Sequence, residues 1–241
     1  MRVLIISDIH SNIVALEAVL YECQDIDKVW CLGDIVGYGP NPNECIECLQ
    51  GISDLTCIMG NHDAAALGLI NINAFNHDAR RSLEWLSLTL EQKSLDFLRS
   101  LPETEIVDGV LLAHGSPRNP IWEYVMDDWV AKLNLSAFET EFCLVGHTHI
   151  PVAFSETDHH LVDIHFLTPG SSTIFRTKSI INPGSVGQPR DRDPRASYLI
   201  YDTSEGIWEN HRVSYDLELV QDRIYAANLP AKHATRLRNG M

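Results

Sequence analysis

Eight side chains able to offer nitrogen or oxygen to a metal ion succeed one another in five short groups: Asp8 and His10, Asp34, Asn61 and His62, His114, and His147 and His149. Imidazole, carboxylate and carboxamide donors suit divalent transition ions, and a cluster of them could activate water or hold an anionic ligand. Most groups end an apolar run: Val3-Leu4-Ile5-Ile6 before Asp8, Val29-Trp30-Cys31-Leu32 before Asp34, Ile58-Met59 before Asn61, and Leu111-Leu112-Ala113 before His114. Such runs read as buried strands, and side chains just past strand ends can converge although they lie far apart in sequence. Taken singly, Gly60-Asn61-His62-Asp63 has the composition of a turn, and Gly146-His147-Thr148-His149 that of a solvated loop. The ordered set reads differently, because each piece brings a donor and most sit beside a glycine, where backbone and ligand can approach closely.

The elements that must place these donors alternate at first between strand and helix. Arg2 to Ser7, Lys28 to Leu32 and Leu55 to Met59 have strand character; Ile13 to Cys23 and Asn43 to Gln50 have helical spacing, with Ser11 and Asn12 as cap residues for the first helix. His77 to Ser100 predicts two helices closed by Pro102. From Glu105 the pattern turns to strands. Asp108-Gly109 turns a hairpin between Ile106-Val107 and Val110-Leu111-Leu112; Phe142 to Val145, Val152 to Ser155 and Leu161 to Phe166 follow, and Ser197 to Asp202 with Ile207 to Val213 form a final hairpin. Asp216 to Ala227 reads as a helix broken by Pro230, with Lys232, Arg236 and Arg238 in a peripheral helix or loose end. The pattern predicts an α/β protein, with residues 1–215 as the main domain and 216–241 as a C-terminal helix and tail belonging to the same domain.

At 241 residues and 45% hydrophobic, the chain can bury a core large enough to hold a site rigid. Its 18 lysines and arginines against 33 acidic residues leave a net charge of −15, which repels nucleic acid duplexes and anionic membranes. An anionic small substrate stays compatible if bound cations supply the attraction locally. The six cysteines lie in apolar runs, and the C-x-x-C spacing of Cys45 and Cys48 has no second pair, so all read as reduced, packed side chains. The first apolar run is too short for a secretory signal, and none approaches the ~20 residues of a membrane span. The expected location is therefore cytoplasmic.

The pattern Asp8-x-His10, Gly33-Asp34-x-x-Gly37, Gly60-Asn61-His62-Asp63, His114 and Gly146-His147-x-His149 resembles that of the calcineurin-like metallophosphoesterase superfamily. Gly33 to Pro40 and Asn182 to Arg190 narrow the likeness to a compact bacterial and archaeal phosphodiesterase-like branch and extend it to about Asp202. The resemblance implies a four-layer αββα sandwich of two mixed β-sheets flanked by helices. It also implies two divalent ions, manganese first, with iron, nickel, cobalt or zinc also suited to the donors. Asp8, His10, Asp34 and His149 would hold one ion and Asp34, Asn61, His114 and His147 the other, with Asp34 as the bridge. Two carboxylates against two divalent ions leave the bare site at about +2. The implied reaction is hydrolysis of a phosphodiester or phosphoanhydride by a metal-bridging hydroxide, with His62 as the catalytic acid that protonates the leaving oxygen. Alternatively, His62 only orients water.

Where phosphoprotein phosphatases of the superfamily carry an acidic residue followed by arginine, this chain has Gly37 and Tyr38, which favours diesters over monoesters. Asp63 is a candidate to set the His62 imidazole. Arg118 and Arg190 are candidates for phosphate binding, while Arg192 and Arg195 read as surface residues. The loop Gly184-Ser185-Val186-Gly187 either presents N–H groups to an anion or is a plain turn. Trp122 and Tyr124, beside Ile121 and Val125, read as packing, although both could stack on a nucleobase. His77, His159, His160, His165, His211 and His233 have no assigned role. The expected ligand is a small, nucleotide-like phosphate ester, with homo-oligomerisation left open. Two other readings are a non-enzymatic protein-binding scaffold of the same fold, as in a retromer subunit where ligand positions have drifted, and a nuclease, which would need a basic groove or capping domain.

Overall fold

The computed structural model describes every residue except His160, so that unassigned histidine lies outside the described residues. Strands and helices alternate through β1 (Arg2–Ile6), α1 (Ile13–Glu22), β2 (Lys28–Cys31), α2 (Pro42–Gln50) and β3 (Leu55–Cys57), followed by α3 (Asn61–Ala66), α4 (His77–Thr89) and α5 (Gln92–Ser100). Next come β4 (Thr104–Val107), β5 (Val110–Ala113), α6 (Asp128–Leu135), β6 (Phe142–Leu144), β7 (Pro151–Glu156) and β8 (Val162–Phe166). The chain continues through β9 (Ser172–Thr173), β10 (Ser179–Pro183), β11 (Ala196–Asp202), β12 (Ile207–Val213), α7 (Leu217–Ala226) and α8 (Ala231–Asn239). Asn12 caps α1 by accepting the Ala15 N–H at 3.1 Å. Asp108 and Gly109, at φ 49° and 80°, make the left-handed pair that a two-residue hairpin turn requires between β4 and β5.

Two six-stranded mixed sheets result, ordered β3-β2-β1-β11-β12-β9 and β4-β5-β6-β10-β7-β8. The two-residue period of a strand sorts their side chains into layers. Val3, Ile5, Trp30 and Leu32 point between the sheets, where they meet Leu112, Phe142, Leu144, Ile181 and Trp208. Their neighbours Leu4, Ile6, Val29 and Cys31 point outward and pack under α1 and α2 with Leu16, Val19, Ile46 and Leu49. On the opposite outer face, α6 buries Ala131 and Leu135 against Cys143, Val152, Phe154 and Ile180. The molecule is the expected four-layer αββα sandwich.

Three features go beyond the sequence reading. β10 is an interior strand, parallel to β6 and antiparallel to β7, yet its aliphatic residues are only Ile180 and Ile181 before Asn182-Pro183, too short a run to announce a buried strand. α6 also escapes the sequence, because Trp129 and Leu133 on its outer side stay exposed and blur its pattern. The C-terminal segment is docked. His233 of α8 is buried with its Nε2 2.8 Å from Ser82 Oγ, its ring lies 4.9 Å from that of Tyr38, and the Arg192 N–H donates to the Gly240 carbonyl. All six cysteines are unpaired, with Cys45 buried on α2. Among the described residues, no helix is long and apolar enough to cross a membrane.

Candidate metal centre

Every predicted donor lies just past the carboxyl end of a parallel strand: Asp8 after β1, Asp34 after β2, Asn61 after β3, His114 after β5, and His147 and His149 after β6. Parallel strands leave their carboxyl ends on one side, where open α/β sheets form their ligand crevices. Here both sheets do so at the same end, and the loops meet across the gap between them. Asp8, His10, Asp34, His147 and His149 adopt φ between 48° and 65°. Left-handed backbone at non-glycine residues costs about 1–3 kcal/mol each and persists only where the surroundings enforce it.

Those surroundings are specific. The Ser185 hydroxyl donates to the Asp8 carbonyl at 2.8 Å, and the N–H groups of Val186 and Gly187 donate to the carbonyls of Ser7 and Asp8. The glycine and serine loop therefore braces Asp8, and the N–H groups of Gly184, Val186 and Gly187 are committed within the protein. Asn182 donates to the Gly146 carbonyl at 2.6 Å and to Thr148 Oγ1 at 3.0 Å, while the His147 N–H donates to Asp8 Oδ2 at 3.1 Å. Asp63 accepts the N–H groups of Gly60, Ile35 and Val36 at 2.9, 3.3 and 3.1 Å. It clamps the Asp34 loop to the Asn61 loop and makes no hydrogen bond to the His62 ring, so the tie is to backbone where the sequence suggested imidazole. Burial and the nearby Asp34 carboxylate push Asp63 up to about 7, against the N–H donors that favour its charged form. Asp63→Ala should lower the free energy of unfolding in urea by roughly 3 kcal/mol or more, since three buried N–H groups lose their acceptor at about 1–3 kcal/mol each. A loss under about 1 kcal/mol would mean that water replaces the clamp.

Three histidines are held in one tautomer by backbone carbonyls, which can only accept. His10 Nδ1 lies 3.2 Å from the Val36 oxygen, His114 Nδ1 2.8 Å from the Leu32 oxygen, and His149 Nδ1 2.5 Å from the Gln188 oxygen. Each Nδ1–H is thus a donor and each Nε2 faces inward, where it offers a lone pair whenever the ring is neutral. The inward nitrogens of His10 and His149 are only 3.1 Å apart, and Asp8 Oδ1 is 3.2 Å from His149 Nε2. Asp34 Oδ2 lies 3.6 Å from His10 Nε2 and 3.4 Å from His114 Nε2, and Asn61 Oδ1 lies 3.1 Å from His114 Nε2. Donor bonds of ~2.0–2.2 Å to a shared ion place neighbouring donors roughly 3–3.5 Å apart, so these separations match the edges of a coordination shell.

Two further observations test the fit. Asp8 Oδ1 and His147 Nε2 are buried and lack hydrogen-bond partners, a costly arrangement unless something else satisfies them. The donors also fall into three overlapping compact groups, Asp8 with His10 and His149, His10 with Asp34 and His62, and Asp34 with His114 and His147, the ligand atoms of each within 4.8 Å of one another. Asp34 belongs to two of these groups. The residues present fit metal binding.

The charge states agree. Burial works against the ionised form of Asp8 and Asp34, but His149 beside the first and His114 beside the second hold both carboxyls well below the usual range. Burial keeps His10 and His149 below their ordinary value, and together with the His114 charge holds His147 down to about 3. At His114 burial is outweighed by the Asp34 carboxylate, which pushes it up to about 10. Its proton is the one an incoming cation must displace.

A cavity of about 110 Å³ opens onto the centre, lined among others by His62, Tyr38, Arg190 and Asn61. The His62 N–H donates to Asp34 Oδ1 at 2.8 Å, and its Nδ1 is buried without a partner. Gly37 explains why no side chain fills that gap: at φ 106°, a Cβ there would lie 2.5 Å from His62 Nδ1. Arg190 reaches the cavity, its guanidinium 3.0 Å from Gln188 Oε1 and 5.8 Å from the centre of the Tyr38 ring. Arg118 does not line it. Its guanidinium faces Glu123 at 3.7 Å and its N–H donates to Asn134. Arg195 is paired with Asp193, and Arg192 is bound through its backbone to Gly240.

Comparison with known proteins agrees with the geometry. Residues 1–206 match the model of the calcineurin-like phosphoesterase superfamily domain, and the chain belongs to that metal-dependent superfamily. It is similar over its whole length to the crystal structure of a metallophosphoesterase from Sphaerobacter thermophilus, at 42% identity and a TM-score of 0.91, covering 99% of that chain. It is 39% identical to an uncharacterized protein of Methanocaldococcus jannaschii, over 97% of this chain and 96% of the other. A shorter match, 29% identical over 108 residues, joins 44% of this chain to 38% of a symmetrical bis(5'-nucleosyl)-tetraphosphatase of Methylobacillus flagellatus.

Proposed function

We propose that the protein is a dinuclear metal-dependent phosphohydrolase that cleaves a phosphodiester or phosphoanhydride of a small, nucleotide-like molecule. The observation that carries this reading is Asp34 Oδ2, placed 3.6 Å from one inward-facing imidazole nitrogen and 3.4 Å from another on opposite sides of the site. When bound, a pair of divalent cations acidifies water for attack on phosphorus and neutralises charge that develops on the phosphoryl oxygens. Asp8, His10, Asp34 and His149 would hold one ion and Asp34, Asn61, His114 and His147 the other, with manganese the first choice.

The remaining steps belong to the protein. The Arg190 fork, the one lysine or arginine among the described residues lining the cavity, takes a non-bridging phosphate oxygen. His62 stands at the same wall and gives a proton to the leaving oxygen. Burial holds its imidazole down to about 4 in the free site despite the Asp34 carboxylate, so the negative charge of an arriving ester is needed to favour its protonated form. A net charge of −15 opposes a polynucleotide. No predicted ligand is missing, which argues against a scaffold that has lost its chemistry.

Purified protein stripped with chelator should turn over bis(p-nitrophenyl) phosphate only after Mn²⁺ is restored, and His147→Ala should not recover. Absence of metal-dependent hydrolysis of this ester, of cyclic nucleotides and of dinucleoside polyphosphates would overturn the proposal.

A further inference from the structure

The segment 115–127, between β5 and α6, is long for a structureless connection, and connections of this length are commonly functional. It is also tightly fixed. Ser116 Oγ and Asn134 Nδ2 both donate to Glu123 Oε2 at 2.7 Å, Arg118 faces the same carboxylate, and the Asn119 N–H donates to Ser116 Oγ at 3.1 Å. Ile121 and Val125 anchor the segment in the core, whereas Trp122 is only partly buried and Tyr124 is 44% exposed. Trp122 packs in part against the core beside Ile121 and Phe75, Tyr124 does not, and both line the cavity over the candidate metal donors.

There they complete an arc of rings. His62 lies 5.0 Å from Phe75, Phe75 5.0 Å from Trp122, Trp122 6.3 Å from His147, and Tyr124 stacks on His147 at 3.8 Å with the planes 19° apart. One face of Tyr124 is taken by this stack. Asn76 also lines the cavity; its side-chain oxygen accepts the N–H groups of Asp78 and Ala79, which leaves the amide NH₂ as the group it can offer. A wall of aromatic faces with an adjacent amide donor, beside a cationic phosphate position, matches the two halves of a nucleotide.

We propose that Trp122 and Tyr124, backed by Phe75, form a stacking subsite for a nucleobase carried by the ester whose phosphate lies over the metal donors. The subsite rests on the hydrolase reading above and adds the residues that would hold the base of its substrate. The Glu123 clamp presents the two rings already in place, so a base binds without ordering the loop.

The test is calorimetric binding of AMP and ribose 5-phosphate to the Mn²⁺-loaded protein, its Trp122→Ala and Tyr124→Ala forms, and the double variant. AMP should bind roughly 5- to 100-fold more tightly than ribose 5-phosphate to the unaltered protein. The single replacements should shrink that ratio and the double one bring it near unity, with far-UV circular dichroism as the control for folding. Equal affinity of the two ligands for the unaltered protein, or a ratio that survives the double replacement, overturns the subsite. Failure of both ligands to bind overturns it as well. Continued hydrolysis of bis(p-nitrophenyl) phosphate would confine that failure to the subsite, whereas loss of hydrolysis would remove the hydrolase reading with it.

Discussion

Asp34→Asn is expected to lower turnover of bis(p-nitrophenyl) phosphate by about 10³-fold or more and to cut the bound metal from two equivalents to one or fewer. The side chain keeps its shape, and its oxygen can still accept the His62 N–H that Asp34 Oδ1 accepts at 2.8 Å. What changes is the other atom. An amide NH₂ in place of Oδ2 would point hydrogens at the space between His10 and His114, where the proposed reading would have a carboxylate oxygen face the metal. About 4 kcal/mol of lost transition-state stabilisation corresponds to that 10³-fold. Elemental analysis beside steady-state kinetics makes the reading decisive: two equivalents of metal with near-normal turnover would exclude Asp34 as the bridge.

A second large effect is expected at His62. His62→Gln should leave metal content unchanged and reduce kcat by roughly 10²–10⁴-fold for esters with an alkoxide leaving group, the range for loss of a positioned acid. For p-nitrophenyl esters, whose leaving group departs without a proton, the loss should be much smaller. An equal loss across both leaving groups would instead assign His62 to orienting water. The His62 ring leans on Tyr38 and Phe75 at 4.4 and 5.0 Å, but one of its nitrogens also lies within 4.8 Å of the His10 and Asp34 donor atoms, so the metal content of the variant is the measurement that separates a proton donor from a ligand.

Much of the centre is legible in the sequence because a metal donor advertises itself by residue type. Asp8, Asp34, Asn61, His114 and His147 each follow a strand that places them in one crevice, and the strand signals are strong where apolar runs are long. The braces are less legible. Ser185, Asn182 and Asp63 act on backbone groups of remote loops, and nothing in their local composition names the partner. Arg118 shows the converse. Four residues from His114 it looks close enough to grip phosphate, but the chain turns back between Gly115 and Pro120 and delivers its guanidinium to Glu123. The sequence reading of Trp122 as packing holds in part, since it lies against the core beside Ile121, whereas Tyr124 is 44% exposed and departs from that reading. The C-terminal helix carries no donor motif, so its contact with Tyr38 through His233 had no sequence signal.

The donors are divided between the two sheets: Asp8, Asp34 and Asn61 follow strands of one, and His114, His147 and His149 follow strands of the other. A bound ion would therefore act as a rivet through both halves of the sandwich, adding its binding free energy to their adhesion. Metal starvation would then loosen the seam at the end where the donors gather, tying the durability of the molecule to its supply of ions.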